Sequence, residues 1–266
     1  MDRDAPADFT PRFAGTGRLK DKVCFISGSS SGIGRAVARL YAREGAKVVI
    51  TYHSDSAEGD EVAAELQREE AAEVLALQLD ATEEKSCHDA IARTVEHFGR
   101  LDVLVCNAGI QQSEPDFAKV ESDWIEKIFR TNVFGYMWLA QAALPHLREG
   151  SAMVFTTSVN AYRGHKYLID YSATKGAELG FLRALAASLA DKGIRGNGVA
   201  PGPIWTPLIG ETMPEEDVES FGSDVPMKRP GQPNEVAPAY LFLACDDSSY
   251  MTGQVLHPNG GIPVNG

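Results

Sequence analysis

Lys22-Val23-Cys24-Phe25-Ile26-Ser27-Gly28-Ser29-Ser30-Ser31-Gly32-Ile33-Gly34 is an apolar run that breaks into glycines and then into an amphipathic segment. Lys22 to Ser27 reads as a buried strand. Ile33, Val37, Leu40 and Tyr41 then recur at helical spacing and place a helix over 32–44. Gly28 permits a turn closed to residues that carry a Cβ, while Gly32 and Gly34 let backbone approach backbone or a ligand. A helix that begins at such a loop aims free N–H groups and its positive dipole end at an anion. The spacing is GxxxGxG. It is neither the GxGxxG fingerprint nor a P-loop, which needs Gly-Lys followed by Ser or Thr. Between a strand and an amphipathic helix, the loop points to dinucleotide binding.

The same alternation continues along the chain. Strand patterns follow at 47–52, 73–79, 101–106, 153–157, 195–200 and 254–258. Helical patterns lie at 57–70, 83–98, 121–148 (two linked stretches), 169–192 and 234–245. Continuous apolar strands separated by helices imply a parallel sheet covered on both faces. Right-handed crossovers make it a doubly wound α/β sheet, with ligands beyond the carboxyl ends of the strands. One domain over 19–266 accounts for the pattern. Residues 1–18 are polar and read as a flexible arm, either docking Phe9 and Phe13 on a neighbouring surface or simply disordered. The Pro- and Gly-rich stretch 201–233 breaks the rhythm, with a short helical possibility at 214–221. It reads as a substrate lid over about 203–232, or else as a surface loop. Ile204, Trp205, Leu208, Ile209, Met213 and Phe221 give the lid an apolar face.

Of the 266 residues, 44% are hydrophobic and 23% charged, an ordinary globular profile, and the net charge is −12. No basic stripe is present, which argues against nucleic acid and against an anionic membrane surface as partners. No apolar run approaches the roughly 20 residues of a membrane helix, and the N-terminus lacks the apolar core of a secretory signal. The four cysteines, Cys24, Cys87, Cys106 and Cys245, are far apart and form no ligand cluster with histidine. They suit a reducing, cytoplasmic compartment and a protein without a metal.

The chemistry concentrates in Tyr171-Ser172-Ala173-Thr174-Lys175, with Ser158 upstream. Residues four apart on a helix are neighbours, so a phenol and an ammonium share one face. A cation beside a phenol stabilises the phenolate and lowers its pKa, which fits the pair for exchanging a proton with an alcohol or a carbonyl. Tyr162 and Tyr167 lack a lysine at i+4 and are expected to shape the pocket instead. His165 and Lys166 either touch substrate or belong to a solvated loop.

Taken in order, these motifs make the chain resemble the short-chain dehydrogenase/reductases over essentially 19–261. The matching segments are SGSSSGIG at 27–34, LDAT at 79–82, CNAG at 106–109, RTNVFG with Asn132, TTS at 156–158, YSATK at 171–175 and APGPIWT at 200–206. The resemblance implies a Rossmann-like fold and a nicotinamide cofactor. It implies that Tyr171 is the general acid or base, that Ser158 binds the substrate oxygen, and that Lys175 holds the ribose and lowers the pKa of Tyr171. Asn132 would keep a helix open around a relay water. Cofactor contacts are implied for Gly28, Ser30, Ser31, Gly32, Ile33, Gly34, Asp80, Ala81, Asn107, Ala108, Gly109, Pro201, Gly202, Ile204 and Thr206. Asn160, Tyr162, Tyr167 and Trp205 would line the substrate pocket. The family is commonly a dimer or tetramer, so a homo-oligomer is expected.

The chain departs from the family pattern at Cys106, where asparagine is usual, and at Gly196 and Gly198, where branched or small apolar residues are usual. Glycine weakens a strand interior, so Gly196→Val is expected to raise thermal stability. At the end of the second strand, Tyr52, His53 and Ser54 stand where NAD-binding proteins need a carboxylate. His53, Ser54 and Thr51 offer donors to a 2′-phosphate, and Asp55 is expected to cap a helix. NADP(H) is therefore the preferred cofactor, with NAD(H) as the alternative. The expected substrate is a small or medium apolar ketone, aldehyde or secondary alcohol. The alternatives are reduction of an imine or other secondary metabolite by the same residues, or a dinucleotide-binding regulator without turnover.

Overall fold

A computed structural model of the chain describes residues 6–212, 218 and 220–264. Its strands are β1 Val23–Ile26, β2 Lys47–Tyr52, β3 Val74–Gln78, β4 Val103–Cys106, β5 Ala152–Thr156, β6 Arg195–Val199 and β7 Val255–Leu256. They form one sheet in the order β3-β2-β1-β4-β5-β6-β7, and every pairing is parallel. The chain builds outward from β1 to β3, then returns to set β4 on the other side of β1. Strand order thus reverses between β1 and β4, which opens the crevice where such sheets bind ligands.

Nine helices accompany the strands among the described residues: α1 Gly32–Arg43, α2 Ser56–Glu70, α3 Glu84–Phe98, α4 Ser122–Phe129, α5 Gly135–Ala143, α6 Asn160–Arg163, α7 Ile169–Leu189, α8 Pro207–Thr212 and α9 Pro233–Ala244. Alternate residues of a strand face opposite ways, and β1 divides accordingly. Cys24 and Ile26 enter a core with Val37, Leu40, Tyr41 and Tyr240. Val23 and Phe25 enter a second core with Leu104, Tyr136, Phe155 and Leu182. The sequence pattern of 121–148 is continuous, yet the helix is interrupted between α4 and α5 by a wide π turn over Arg130–Phe134.

The leading segment, expected to be loose, is packed from Ala7 onward. Asn234 donates its backbone N–H to the Asp8 carbonyl (3.1 Å) and its side-chain amide to the Thr10 carbonyl (2.9 Å). The Arg35 guanidinium lies 5.0 Å from the centre of the Phe9 ring. Glu44, at the end of α1, is fully buried. Its carboxylate accepts from the Arg18 guanidinium (2.8 Å) and from the backbone N–H groups of Thr16 and Arg18 (3.0 Å each). Phe9 is therefore docked on this chain's own core.

The expected lid has a defined base. Ile204 and Gly231 form a parallel bridge, with Trp205 N–H to the Gly231 carbonyl (2.8 Å) and Gly231 N–H to the Pro203 carbonyl (2.9 Å). Between these arms lies α8. Trp205, Ile209, Val218 and Phe221 pack on one another and on Ala7. Met213 and positions 214–217 and 219 lie outside the described residues.

The glycines of β6 serve packing. A β-carbon on Gly196 would stand 3.4 Å from the Ala186 β-carbon, and one on Gly198 would stand 2.8 Å from Leu182 Cδ2. Their absence lets α7 lie close on the sheet, which the strand's own weakness does not reveal. Gly196→Val therefore drives γ-methyl groups into α7. Overpacking of this kind costs about 1–3 kcal/mol. Calorimetry should show a lowered melting midpoint, reversing the expectation from the strand alone.

Glu44 gives a second test. Burial pushes its carboxyl up, but the Arg18 guanidinium and the Arg18 and Thr16 amides outweigh burial and hold it at about 2. A depressed carboxyl stabilises the fold above its unfolded pKa of about 4.3 and loses that contribution as pH falls toward 2. Glu44→Gln should lower the melting midpoint at neutral pH, and the gap to the parent protein should close progressively below pH ~4.

Candidate active site

A cleft of about 1000 Å³ opens at the carboxyl ends of the strands. Gly28, Ser30, Ser31, Gly32 and Ile33 form one wall. Gly28 and Gly32 adopt positive φ (62° and 56°), the left-handed region that favours glycine. A β-carbon on Gly28 would come within 2.8 Å of Ala108 Cα, so the β1 loop lies directly on the β4 loop. Gly34 does not reach the cleft. It faces the Gly28 carbonyl and the Asn107 amide, where no side chain fits.

Side chains lock this crossing. The Ser27 hydroxyl accepts from the backbone N–H groups of Asn107 (2.8 Å) and Ala108 (3.0 Å). Asn107 donates its side-chain amide to the carbonyls of Ser27 (3.1 Å) and Gly28 (3.0 Å). Asn107 thus supports the loop with its side chain while lining the cleft with Ala108 and Gly109. Thr51, expected to offer a donor, is buried, and its hydroxyl accepts from Gly28 N–H (2.8 Å). It is committed to the loop.

Farther along, Tyr52, His53, Ser54, Asp80 and Ala81 line the cleft. His53 Nε2 stands 3.9 Å from the Asp80 carboxylate. Burial pushes the Asp80 carboxyl up, but hydrogen bonds from the Thr82 hydroxyl and backbone N–H outweigh it, so the net shift is downward. Asp55 caps α2, accepting from Ala57 N–H (2.9 Å), as its setting suggested. Arg35 is engaged by Glu65 (2.5 Å).

At the opposite end, Ser158, Tyr171 and Lys175 share the cleft wall. Ser158 follows β5, while Tyr171 and Lys175 project from α7. The Ser158 hydroxyl accepts from Asn160 N–H (3.1 Å) and stands beside the Tyr171 phenol, whose ionisation it favours, and the Lys175 ammonium lies 5.4 Å from the centre of the tyrosine ring. Asn132 sits within the π turn, fully buried. Its side chain accepts from Ile110 N–H (2.9 Å) and donates to the Ile110 carbonyl (3.0 Å) and the Thr174 hydroxyl (3.1 Å). It joins the turn to the β4 loop and to α7.

Lys175 is almost fully buried and donates to the Thr156 carbonyl (3.0 Å) and to Glu178 Oε1 (2.7 Å). Burial pushes the Tyr171 phenol up first; Lys175 lowers its pKa, as expected, Glu178 adds to the rise and Ser158 opposes it, and the net shift is upward. Lys175 acts in the expected direction but does not prevail.

Pro201, Gly202, Ile204 and Thr206 also face the cleft, as do Asn160 and Tyr167. Tyr162 and Trp205 do not. Tyr162 stacks edge-on against His257 (4.9 Å between centres), and Trp205 belongs to the small core with Ile209 and Val218. His165 and Lys166 do line the cleft, together with Arg163 and Asp224. Sequence reasoning passed over Ser27, Thr156 and Glu178. For Glu178 a signal existed: an acid three residues after Lys175 on the face that α7 turns inward.

Comparison with known proteins agrees with this geometry. Residues 28–263 match a family model described as enoyl-(acyl carrier protein) reductase. A short-chain dehydrogenase from Burkholderia cenocepacia, solved in complex with NADP, superposes with a TM-score of 0.86 at 31% identity, over 92% of this chain and 98% of that one. The chain belongs to the short-chain dehydrogenase/reductase family. Within this family, the NADPH-dependent aldehyde reductase 1 of Arabidopsis thaliana is 48% identical, over 97% of this chain and 91% of the relative. The glucose and ribitol dehydrogenase of Daucus carota is 46% identical, over 98% and 92%. This short-chain dehydrogenase/reductase is accordingly an NAD(P)-dependent oxidoreductase. Among its described residues, no helix is long and apolar enough to cross a membrane.

Proposed function

We propose that this protein interconverts a carbonyl compound and an alcohol with NADP(H), using Tyr171 as the general acid and base. The observation that carries the reading is the convergence of Ser158, Tyr171 and Lys175 on one cleft with the glycine loop, with the Lys175 ammonium 5.4 Å from the tyrosine ring. The cleft fits a dinucleotide. Ser31, the N-cap of α1, makes no side-chain cap bond, so the first N–H groups of α1 keep their capacity for an anion. A nicotinamide cofactor bound there supplies or accepts the hydride. Ser158 holds the substrate oxygen, Tyr171 gives that oxygen a proton in reduction and takes it back in oxidation, and Lys175 directs its remaining N–H toward the cofactor's ribose. Asn132 maintains the wide turn that keeps this end of the cleft open.

Three features support NADP(H). Tyr52, His53 and Ser54 stand at the end of β2, and the nearest acid in sequence, Asp55, caps α2 through Oδ1. His53 and Ser54 stand exposed at that position. The Burkholderia structure holds NADP, and the Arabidopsis relative is named for NADPH. The substrate end is more polar than the sequence suggested, with Asn160, Arg163, His165, Lys166 and Asp224 along it. That lining favours a small hydroxylated carbonyl or polyol over an apolar ketone, and the carrot relative's name points the same way. Four unpaired, buried cysteines suit a reducing cytoplasm. Partly exposed Phe134 and Ile169 offer an apolar surface for a homo-oligomer.

Tyr171→Phe should keep NADPH affinity and lower kcat by about a hundredfold or more. Binding by fluorescence titration and turnover by NADPH consumption over sugars, polyols and simple ketones provide the check, and retained turnover would remove the reading. His53→Asp places a charge where the 2′-phosphate is read. Steady-state kinetics should show kcat/KM for NADPH falling by about tenfold or more, roughly 1.4 kcal/mol, while the value for NADH changes little.

A further inference from the structure

Glu178 is 1% exposed, and Lys175 Nζ holds one of its oxygens at 2.7 Å. The other oxygen, Oε2, is buried without a hydrogen-bond partner among the described residues. Along the same inward stripe of α7, the following positions are Leu182, Ala186 and Leu189, the apolar residues that a helix against a sheet calls for. An apolar side chain would fill this slot without desolvating a carboxylate. The acid has a cost that its pairing with Lys175 must offset.

We propose that Glu178 is a positioning residue that holds the Lys175 ammonium and offsets its charge at Tyr171, so that the phenol remains a proton donor to higher pH. The inference rests on the acid–base reading of Tyr171 given above. Three elements besides α7 place titratable groups within electrostatic reach of this carboxylate. From α5, the Tyr136 hydroxyl donates to the Thr156 carbonyl (3.3 Å), the same oxygen that accepts from Lys175. From α9, the Tyr240 hydroxyl lies 2.7 Å from the Thr156 hydroxyl. From β4 comes the Cys106 thiol, pushed far up by burial, with Glu178 adding to the shift. Lys175 is the cation that faces the acid.

Two consequences follow from this arrangement. An ammonium has three donors, and with two fixed on Thr156 and Glu178 the third has a defined direction, toward the cleft that Lys175 lines. A carboxylate near a phenol also disfavours the phenolate, opposing the lysine. Burial raises the Glu178 carboxyl to about 7, against the pull of Lys175. Above neutrality it is ionised, so its opposition to the lysine is complete over the pH range where a phenol gives up its proton.

The test is the pH dependence of kcat/KM for alcohol oxidation, which needs the phenolate, in the parent enzyme, Glu178→Gln and Glu178→Val. The rising alkaline limb should move to lower pH by about one unit in both variants. The KM for cofactor should stay near the parent value in Glu178→Gln, whose amide oxygen still accepts from Lys175, and rise severalfold in Glu178→Val. Superimposable pH profiles would overturn the charge role, and an unchanged KM in both variants would overturn the holding role. Should neither variant fold, Glu178→Asp, which keeps the charge but draws it back from Lys175, reads the holding role: the KM for cofactor should rise, and an unchanged KM refutes it. If Tyr171→Phe keeps turnover, the acid–base reading itself falls. If it loses turnover while Glu178→Gln keeps the parent profile, only the assignment of Glu178 falls.

Discussion

The site is organised around a positive charge kept almost out of water. The Lys175 ammonium lies under α7 at the carboxyl end of β5, and a charge buried there demands hydrogen-bonding partners. The Thr156 carbonyl can serve because β5 has ended and that oxygen is turned toward the helix. Glu178 can serve because α7 carries it one turn beyond the lysine. The closeness of α7 to the sheet depends in turn on the missing side chain of Gly198, whose β-carbon would meet Leu182 at 2.8 Å. Strand composition, helix placement and the acid–base couple are therefore parts of one packing solution.

The opposite end of the cleft rests on neutral contacts. There the β1 and β4 loops touch backbone to backbone, and Ser27 and Asn107 tie them together. The contrast suits two tasks. The glycine loop must present N–H groups in a fixed shape, which short neutral bonds accomplish. The catalytic end must keep a proton available, which calls for charges that oppose one another.

Much of this was legible in the sequence. Strands buried on both faces must be continuously apolar, and every strand expected from such a run is present within two residues at its ends. Asp55 declared itself as a cap by standing before a polar helix start. Other features were hidden for identifiable reasons. The π turn at Arg130–Phe134 has an ordinary helical sequence, and only the clamp of Asn132 on Ile110 and Thr174 distinguishes it. Tyr162 lies within the short helix α6 and Tyr167 in the loop after it, and Tyr162 is drawn to the distant His257 ring, so which ring met the cleft was not written locally. Gly196 and Gly198 face α7, a neighbour that the strand pattern alone does not show. Glu178 escaped attention because it interrupts an apolar face, a signal visible only once that face is known to be buried.

The packed leading segment ties the start of the chain to its far end. Asp8 and Thr10 are bonded to the first turn of α9, and Ala7 lies in the same small core as Trp205 and Ile209. Whatever is fused to or trimmed from the amino terminus thus bears on the small core that Trp205 and Ile209 build, although the two are some two hundred residues apart in the chain.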